Sequence, residues 1–483
     1  MKLNIIPAPW RLTVLEQTVP DGRFEERINP ALSVEEYRIM ISKRERYLEG
    51  GSPQALFYAR ATLSQIRFQC PKELPVCFIE DKPAVSLRSF HIDTVRHFFS
   101  IDELKKMIDT AALFKFNTWH WHFSDDQGFR IECGRFPLLH EIGSRRQGDH
   151  FGNYASDEEE GGYYTREEVR ELVAYCQDRG IQVIPEIDFP GHTSAILHAY
   201  PSLGCTGEPV EVKTSGGIFY DLICAGKEES FRFVCELIED MAELFPGPYF
   251  HIGGDEAPKT VWGSCPDCQA RMKEKGLRSL RELQGDFENR LIEFVKSLGK
   301  TAIVWNDAAY GGNLQPGAVI QLWTKDKAKT SLQYAAGGGR ILYSPFHHAY
   351  CDYPFALQSL RDIYELETAP RGYAKDEDTA VIGTECLLWT EFIRTDERLE
   401  EYAWPRYMAS AEAAWCGKRK PGFADFRKRL QSLLPLLESR GVRYMPPEGW
   451  KRLSVPTLRD AAAFVRNFDR KARRSSVSVH KDI

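Results

Sequence analysis

The sequence predicts an α/β fold: a (β/α)8 TIM barrel, preceded by a small α+β domain and followed by helices packed on the barrel. Three observations carry this. From residue 86 to about 416, β-rich runs alternate with helical runs until eight strands are present, the number that closes a parallel barrel. Helices in that stretch carry explicit start signals. No glycine-rich GxGxxG follows an early strand, which ranks an open doubly wound sheet below the barrel.

Residues 1–85 read as the small α+β domain. The run 34–42, VEEYRIMIS, alternates apolar and polar residues as a half-buried strand does, and 53–69 reads as one helix. The barrel domain spans 86–416. Its strands are predicted at 86–94, 116–123, 181–188, 248–254, 301–307, 318–323, 340–345 and 380–390. Ser100-Ile-Asp-Glu103 is a capping box opening a helix toward Phe116, and Thr165-Arg-Glu-Glu168 opens another that stops at Gly180. Further helices are predicted near 229–244, 281–298, 327–336 and 402–415. Residues 417–483 form the C-terminal helical extension, whose last ten residues are expected to fray.

Composition narrows the function. The chain has 483 residues and a net charge of −6, which argues against nucleic acid as the main partner. Aromatic residues make up 12%, with 10 Trp; such rings suit the flat apolar faces of sugars, although core packing absorbs many of them. The start, MKLNIIPAPWRL, lacks the apolar core of a signal peptide, and no apolar run approaches the about 18 residues of a membrane span. With 12 scattered cysteines, a reduced cytoplasmic setting is expected. Cys265-Pro-Asp-Cys268 is the single CxxC and has no second pair at zinc-ribbon spacing, so neither a metal nor a cofactor is expected. The run Asp157–Glu160 reads as a solvated loop.

In a barrel the reactive groups gather at the C-terminal ends of the strands. Here those ends deliver Asp93 and Arg96; His120, His122, Asp125 and Asp126; Glu186, Asp188 and His192; Asp255 and Glu256; Trp305 and Asp307; Trp323; His347, His348, Tyr350 and Asp352; and Trp389 and Glu391. A purely structural barrel has no need of acids, histidines and indoles at nearly every end. Carboxylates grip hydroxyls and move protons while indoles stack on rings, so the set points to glycoside hydrolysis. Trp119 and Trp121 alternate with His120 and His122 and read as packing residues. His251 reads as a satisfied histidine behind the site. Asp255 and Glu256 are adjacent, with Cα atoms about 3.8 Å apart. They are poorly placed to attack from one face and protonate from the other across about 5 Å, as a two-carboxylate retaining enzyme requires.

The run His251-Ile-Gly-Gly-Asp-Glu256 resembles the signature of family-twenty glycoside hydrolases, the β-N-acetylhexosaminidases. Asp93-Thr-Val-Arg96, Trp119–Gly128, Pro185–His192 and Leu388-Trp-Thr-Glu391 agree and stand in family order over roughly 86–415. The resemblance implies a retaining exo-β-N-acetylhexosaminidase that removes terminal β-linked GlcNAc or GalNAc through an oxazolinium intermediate. It implies that Glu256 is the general acid and then base, and that Asp255 holds the substrate's 2-acetamido N–H. Tyr350 would bind the acetamido oxygen; Trp305, Trp323 and Trp389 would wall the sugar; Arg96, Asp352 and Glu391 would bind hydroxyls. Asp125 and His192 would form a hydrogen-bonded pair tuning Glu256. The implied partners are β-N-acetylhexosaminide oligosaccharides or glycoconjugates. Two rivals stand beside it. One is a metal-dependent barrel hydrolase using His120-Trp-His122 with His192, His251 and Asp255. The other is a catalytically dead glycan-binding protein, against which the presence of Glu256 weighs.

Overall fold

The computed structural model describes residues 2–152, 154–324, 328–370 and 380–467. Eight parallel strands close a barrel: Leu87–Asp93, Thr118–His122, Gln182–Glu186, Tyr249–His251, Thr301–Trp305, Val319–Leu322, Arg340–Tyr343 and Val381–Cys386, the eighth pairing with the first. They are strands one to eight below. The chain is thus the predicted (β/α)8 barrel. Its interior is layered. Leu87, Ile184, Ile303, Val319 and Leu342 pack together toward the strands' N-terminal ends. A polar layer of His120, Glu186, His251, Gln321 and Glu385 lies above them. Strand two shows the period-two logic. Trp119 and Trp121 stack 4.6 Å apart within the large core outside the barrel, while His120 and His122 join the inner polar layer.

Local signals explain the helix starts. Thr165 and Glu168 form a complete capping box on the helix Arg166–Gln177. Ser100 caps Ile101–Leu113 by accepting from the Glu103 N–H. The reciprocal half of that box is replaced by an ion pair, since Glu103 lies 2.7 Å from Lys106. The helix expected at 402–415 is two helices, Asp396–Ala403 and Arg406–Cys416. Pro405 lacks an N–H and forces Trp404 into an extended conformation. The acidic run Asp157–Glu160 is also not a loop. It lies in the strand Ser156–Gly161, antiparallel to Arg145–Asp149, where Arg145 pairs with Glu159 at 2.6 Å and offsets the like charges. Residue 327, where one helix was expected to begin, and the last ten residues lie outside the described residues; Ala328–Ala336 is helical.

Residues 11–81 form a five-stranded mixed sheet beside the helix Pro53–Gln69, with Ser52 as its N-cap and Pro53 in its first turn. This unit meets the barrel through a buried ionic knot. Lys115, just before strand two, donates to Asp81 at 3.1 Å and to the Tyr37 hydroxyl at 2.7 Å. Asp81 also accepts from the Trp415 indole at 2.9 Å. The C-terminal helix Phe423–Ser439 packs its leucines into the main core, and Arg429 pairs with buried Glu412 at 2.6 Å. Among the described residues no helix is long and apolar enough to cross a membrane.

Asp81→Ala leaves the Lys115 ammonium buried without its counter-charge. It is expected to cost about 3–5 kcal/mol of stability in urea unfolding. An unchanged midpoint would show that the knot contributes nothing.

Candidate active site

The two adjacent acids reach one cavity because the backbone is bent there. After strand four the chain passes through Gly253 (φ 74°) and Gly254 (φ 109°). A Cβ on Gly253 would stand 1.7 Å from the Asp188 carboxyl oxygen, and one on Gly254 would stand 3.0 Å from the Ala308 Cβ. Only glycine permits that approach, which also lets the Gly254 N–H donate to Asp188 at 2.9 Å. Glu256 itself has φ 45°, a left-handed conformation costing about 1–2 kcal/mol. An extended run would send successive side chains to opposite faces; this turn brings both Asp255 and Glu256 to the cavity.

That cavity, of about 180 Å³, lies at the C-terminal mouth of the barrel and is lined by Arg96, Asp125, Asp188, His192, Asp255, Glu256, Trp323, Tyr350, Asp352, Trp389 and Glu391, with Phe346 and Tyr353. Ten of the eleven residues to which the resemblance gives a role are therefore brought together. The eleventh, Trp305, is buried beneath them. Its indole N–H donates to Glu186 at 2.7 Å, and its ring centroid lies 6.0 Å from that of Trp389. It supports the wall from behind.

Asp125 organises the charges. It accepts from Arg96 at 2.7 Å and lies 2.8 Å from His122 and 3.1 Å from His192. Burial alone would raise its pKa, but those cations, Arg96 first, hold its carboxyl well below the usual range. The same pairing acts on His192. Burial disfavours the imidazolium, yet Asp125 and Asp126 keep it well above the ordinary histidine value. The other ring nitrogen of His192 lies 3.8 Å from the Glu256 carboxyl and 4.0 Å from Asp255.

Glu256 keeps a quarter of its side-chain surface open to the cavity mouth. Even so, burial and then the neighbouring Asp255 charge push its carboxyl up to about 8, against the pull of His192 and Arg96. At neutral pH it carries a proton. Burial and then the Asp255 carboxyl likewise push Asp188 well above its ordinary value, which disfavours its anion beside Asp255. At the far side, burial raises Asp352 and Glu391. Two oxygens of the cavity carboxyls, Asp255 Oδ1 and Asp352 Oδ1, are buried with no hydrogen-bond partner among the described residues.

The walls are aromatic. Trp323 donates its N–H to Asp307 at 2.9 Å, which fixes its ring, and lies 6.2 Å from the Tyr350 ring. Arg96 stands 5.0 Å over Trp389. Sequence reasoning flagged Asp188 only as a strand end, and missed Phe346 and Tyr353, which carry no motif or periodicity. His348 is turned away and bonds the Asp362 carbonyl at 2.7 Å. The histidines of the metal-hydrolase rival are divided. His192 lines the cavity, whereas His120, His122 and His251 lie in the barrel interior against Glu186.

One neutral acid beside a second carboxyl, with indole walls and further carboxyls at the rim, can protonate a leaving oxygen on a polyhydroxylated ring. Comparisons with known proteins agree. Residues 86–418 match the profile of "Glycosyl hydrolase family 20, catalytic domain". A β-hexosaminidase of Porphyromonas gingivalis is 36% identical over 436 residues, which span 86% of this chain but only 55% of that protein. A β-hexosaminidase of Akkermansia muciniphila is 31% identical over 445 residues, covering 88% of this chain and 89% of that one. The crystal structure of an exo-β-N-acetylglucosaminidase from Vibrio harveyi in complex with N-acetylglucosamine superposes with a TM-score of 0.81 at 28% identity, over 93% of this chain and 79% of that one.

The Glu256 carboxyl is expected to titrate at about 8 in carbon-13 NMR of the labelled side chain. Because His192 favours the ionised form, His192→Gln should move the midpoint up. A midpoint in the ordinary carboxylate range would overturn the assignment.

Proposed function

Because this chain belongs to glycosyl hydrolase family 20, whose catalytic-domain profile it matches over residues 86–418, we propose that it is a retaining exo-β-N-acetylhexosaminidase in which the substrate's own 2-acetamido group is the nucleophile. The chain is a glycoside hydrolase; the finer reading concerns how it works and on what. One observation carries it: the proton-bearing acid, Glu256, sits directly beside Asp255 on a single bent turn of one cavity.

The other cavity carboxyls do not offer a free nucleophile. Asp125 is ionised but committed to Arg96, His122 and His192. Burial raises Asp352 and Glu391, which disfavours their anionic forms. Substrate assistance is what the family resemblance implies, and these commitments of the other carboxyls support an attacking atom supplied by the sugar. Glu256 protonates the glycosidic oxygen as the C1–O bond breaks, and the acetamido carbonyl oxygen closes on C1 to form an oxazolinium ion. Asp255 accepts the acetamido N–H and faces the positive charge that develops on the ring. Glu256, now ionised, removes a proton from water, which opens the oxazolinium from the opposite face and restores the β configuration.

In this reading the Tyr350 hydroxyl bonds the acetamido oxygen, with Trp323 and Trp389 as the apolar walls and Trp305 behind them; all but Trp305 line the cavity. Arg96, Asp352 and Glu391 are the hydroxyl-binding groups. His192, held by Asp125, follows the charge of Glu256 through the cycle. Terminal GlcNAc or GalNAc on an oligosaccharide or glycoconjugate is the proposed substrate; the N-acetylglucosamine complex of the Vibrio harveyi enzyme supports the sugar class. We also propose a cytoplasmic setting, supported by twelve free and mostly buried thiols; cell fractionation tests it.

Glu256→Gln should lower kcat/KM on a substrate with a poor leaving group by about 10²–10⁴-fold. A raised carboxyl pKa means that the acid form is present below about 8 and lost above it. The wild-type pH profile should therefore fall on the alkaline side, and that limb should vanish in the variant. An alkaline limb that persists in Glu256→Gln counts against Glu256 as the acid.

An aryl β-glucoside, which differs from the GlcNAc substrate only at C2, should be turned over far more slowly. A stable glycosyl ester on the protein during turnover of the natural sugar would defeat the substrate-assisted route.

A further inference from the structure

The isolated CxxC of the sequence is not isolated in the fold. Cys205 and Cys224, from the long connection after strand three, meet Cys265 and Cys268, from the connection after strand four. Their sulfurs all lie within 4.8 Å of one another. The Sγ–Sγ separations are 3.6 Å for Cys224–Cys268, 3.7 Å for Cys224–Cys265 and 3.9 Å for Cys205–Cys268. These are far from the about 2.05 Å of a disulfide. They match a tetrahedron around a zinc ion, whose edge is about 3.8 Å when each Zn–S bond is about 2.3 Å.

The surroundings are built for this meeting. Gly204 bridges to Ile223, and the Cys224 N–H donates to the Leu203 carbonyl at 2.9 Å, so the first two cysteines ride on one short ribbon. Cys265 is the N-cap of the helix Pro266–Lys275, which carries Cys268 on its first turn. A Cβ on Gly226 would stand 2.2 Å from the backbone at Asp267 and Cys268; glycine is what lets the ribbon close on the helix. The indole of Trp262 ties the same two connections by donating to the Ile223 carbonyl at 3.1 Å. Cys224, Cys265 and Cys268 are buried, and Cys205 is partly open, leaving one side for an ion to enter.

We infer that Cys205, Cys224, Cys265 and Cys268 form a tetrathiolate site for one Zn²⁺, a structural clamp joining the connections after strands three and four. Four protein ligands leave no open position, so the ion activates no water. Its effect on the chemistry is positional. The connection it pins begins with Asp255 and Glu256, and the one it pins them to begins with His192. The inference does not rest on the proposed reaction.

The test uses the full-length chain. Reconstituted with Zn²⁺ under reducing conditions, it should hold about one zinc per chain by elemental analysis. With Co²⁺ in its place it should show the near-ultraviolet thiolate charge-transfer band and the strong visible bands of a tetrahedral sulfur site. Cys224→Ser and Cys268→Ser should lose the metal. Cys70→Ser, outside the cluster, should keep it, and so should Glu256→Gln, which separates this outcome from that of the catalytic reading. Metal removal from the wild type should lower Tm. A wild-type chain that takes up no zinc and gives no cobalt thiolate band overturns the inference without relying on any variant. So does a mass showing disulfides among these four in the protein isolated under reducing conditions, or cobalt bands that survive in both serine variants.

Discussion

The Glu186 carboxylate, wholly buried in the barrel, is the constraint on which the site's charge pattern depends. It accepts from the Trp305 indole at 2.7 Å, lies 3.1 Å from His251 and 3.2 Å from His120, and bonds His122. A bare carboxylate there would cost several kcal/mol; surrounded by donors it is held well below the usual range. His122 carries the pattern upward, with one ring nitrogen on Glu186 and the other on Asp125. Asp125 then holds both Arg96 and His192 at the cavity wall. The floor of the barrel thereby sets which groups at its mouth are charged.

That arrangement keeps Glu256 in a useful state. Burial and the adjacent Asp255 drive its proton affinity up, while His192 and Arg96 restrain the rise. The result is an acid matched to neutral pH, where proton transfer is most effective. The glycine pair and the left-handed Glu256 supply the geometry, and the close contact of Gly253 with Asp188 shows how little room the turn has. Backbone strain at such a point persists only where its surroundings hold it. Here they are the Gln284 side-chain amide, donating to the Gly254 carbonyl at 2.7 Å, and the Trp305 backbone N–H, donating to that of Gly253 at 2.8 Å.

Much of this is legible in the chain. Alternating β-rich and helical runs locate every barrel strand, since hydrophobic period and capping are local properties. The strand-end rule then picks out the acids, indoles and histidines, and spaced motifs in one order identify the family. Errors arise where local signals compete or are silent. Pro405 splits a run that reads as one helix. The like charges of 157–160 hide a strand whose counter-charges lie on a different segment. Trp305 stands at a strand end like Trp323 and Trp389, and nothing local signals that it is buried behind them with its indole bonded to Glu186.

By itself the sequence determined the barrel, the order of its strands, and which residue types stand at the mouth. These follow from periodicity, caps and motif spacing along the chain. The tertiary structure alone decided that Asp255 and Glu256 turn into one cavity, with Asp188 buried against them. It also decided that Cys205 and Cys224 come to rest against Cys265 and Cys268. Each of these is a meeting of segments far apart in the chain, or a backbone angle imposed by such a meeting. Proximity through space is set by how connections pack, and no local pattern encodes it.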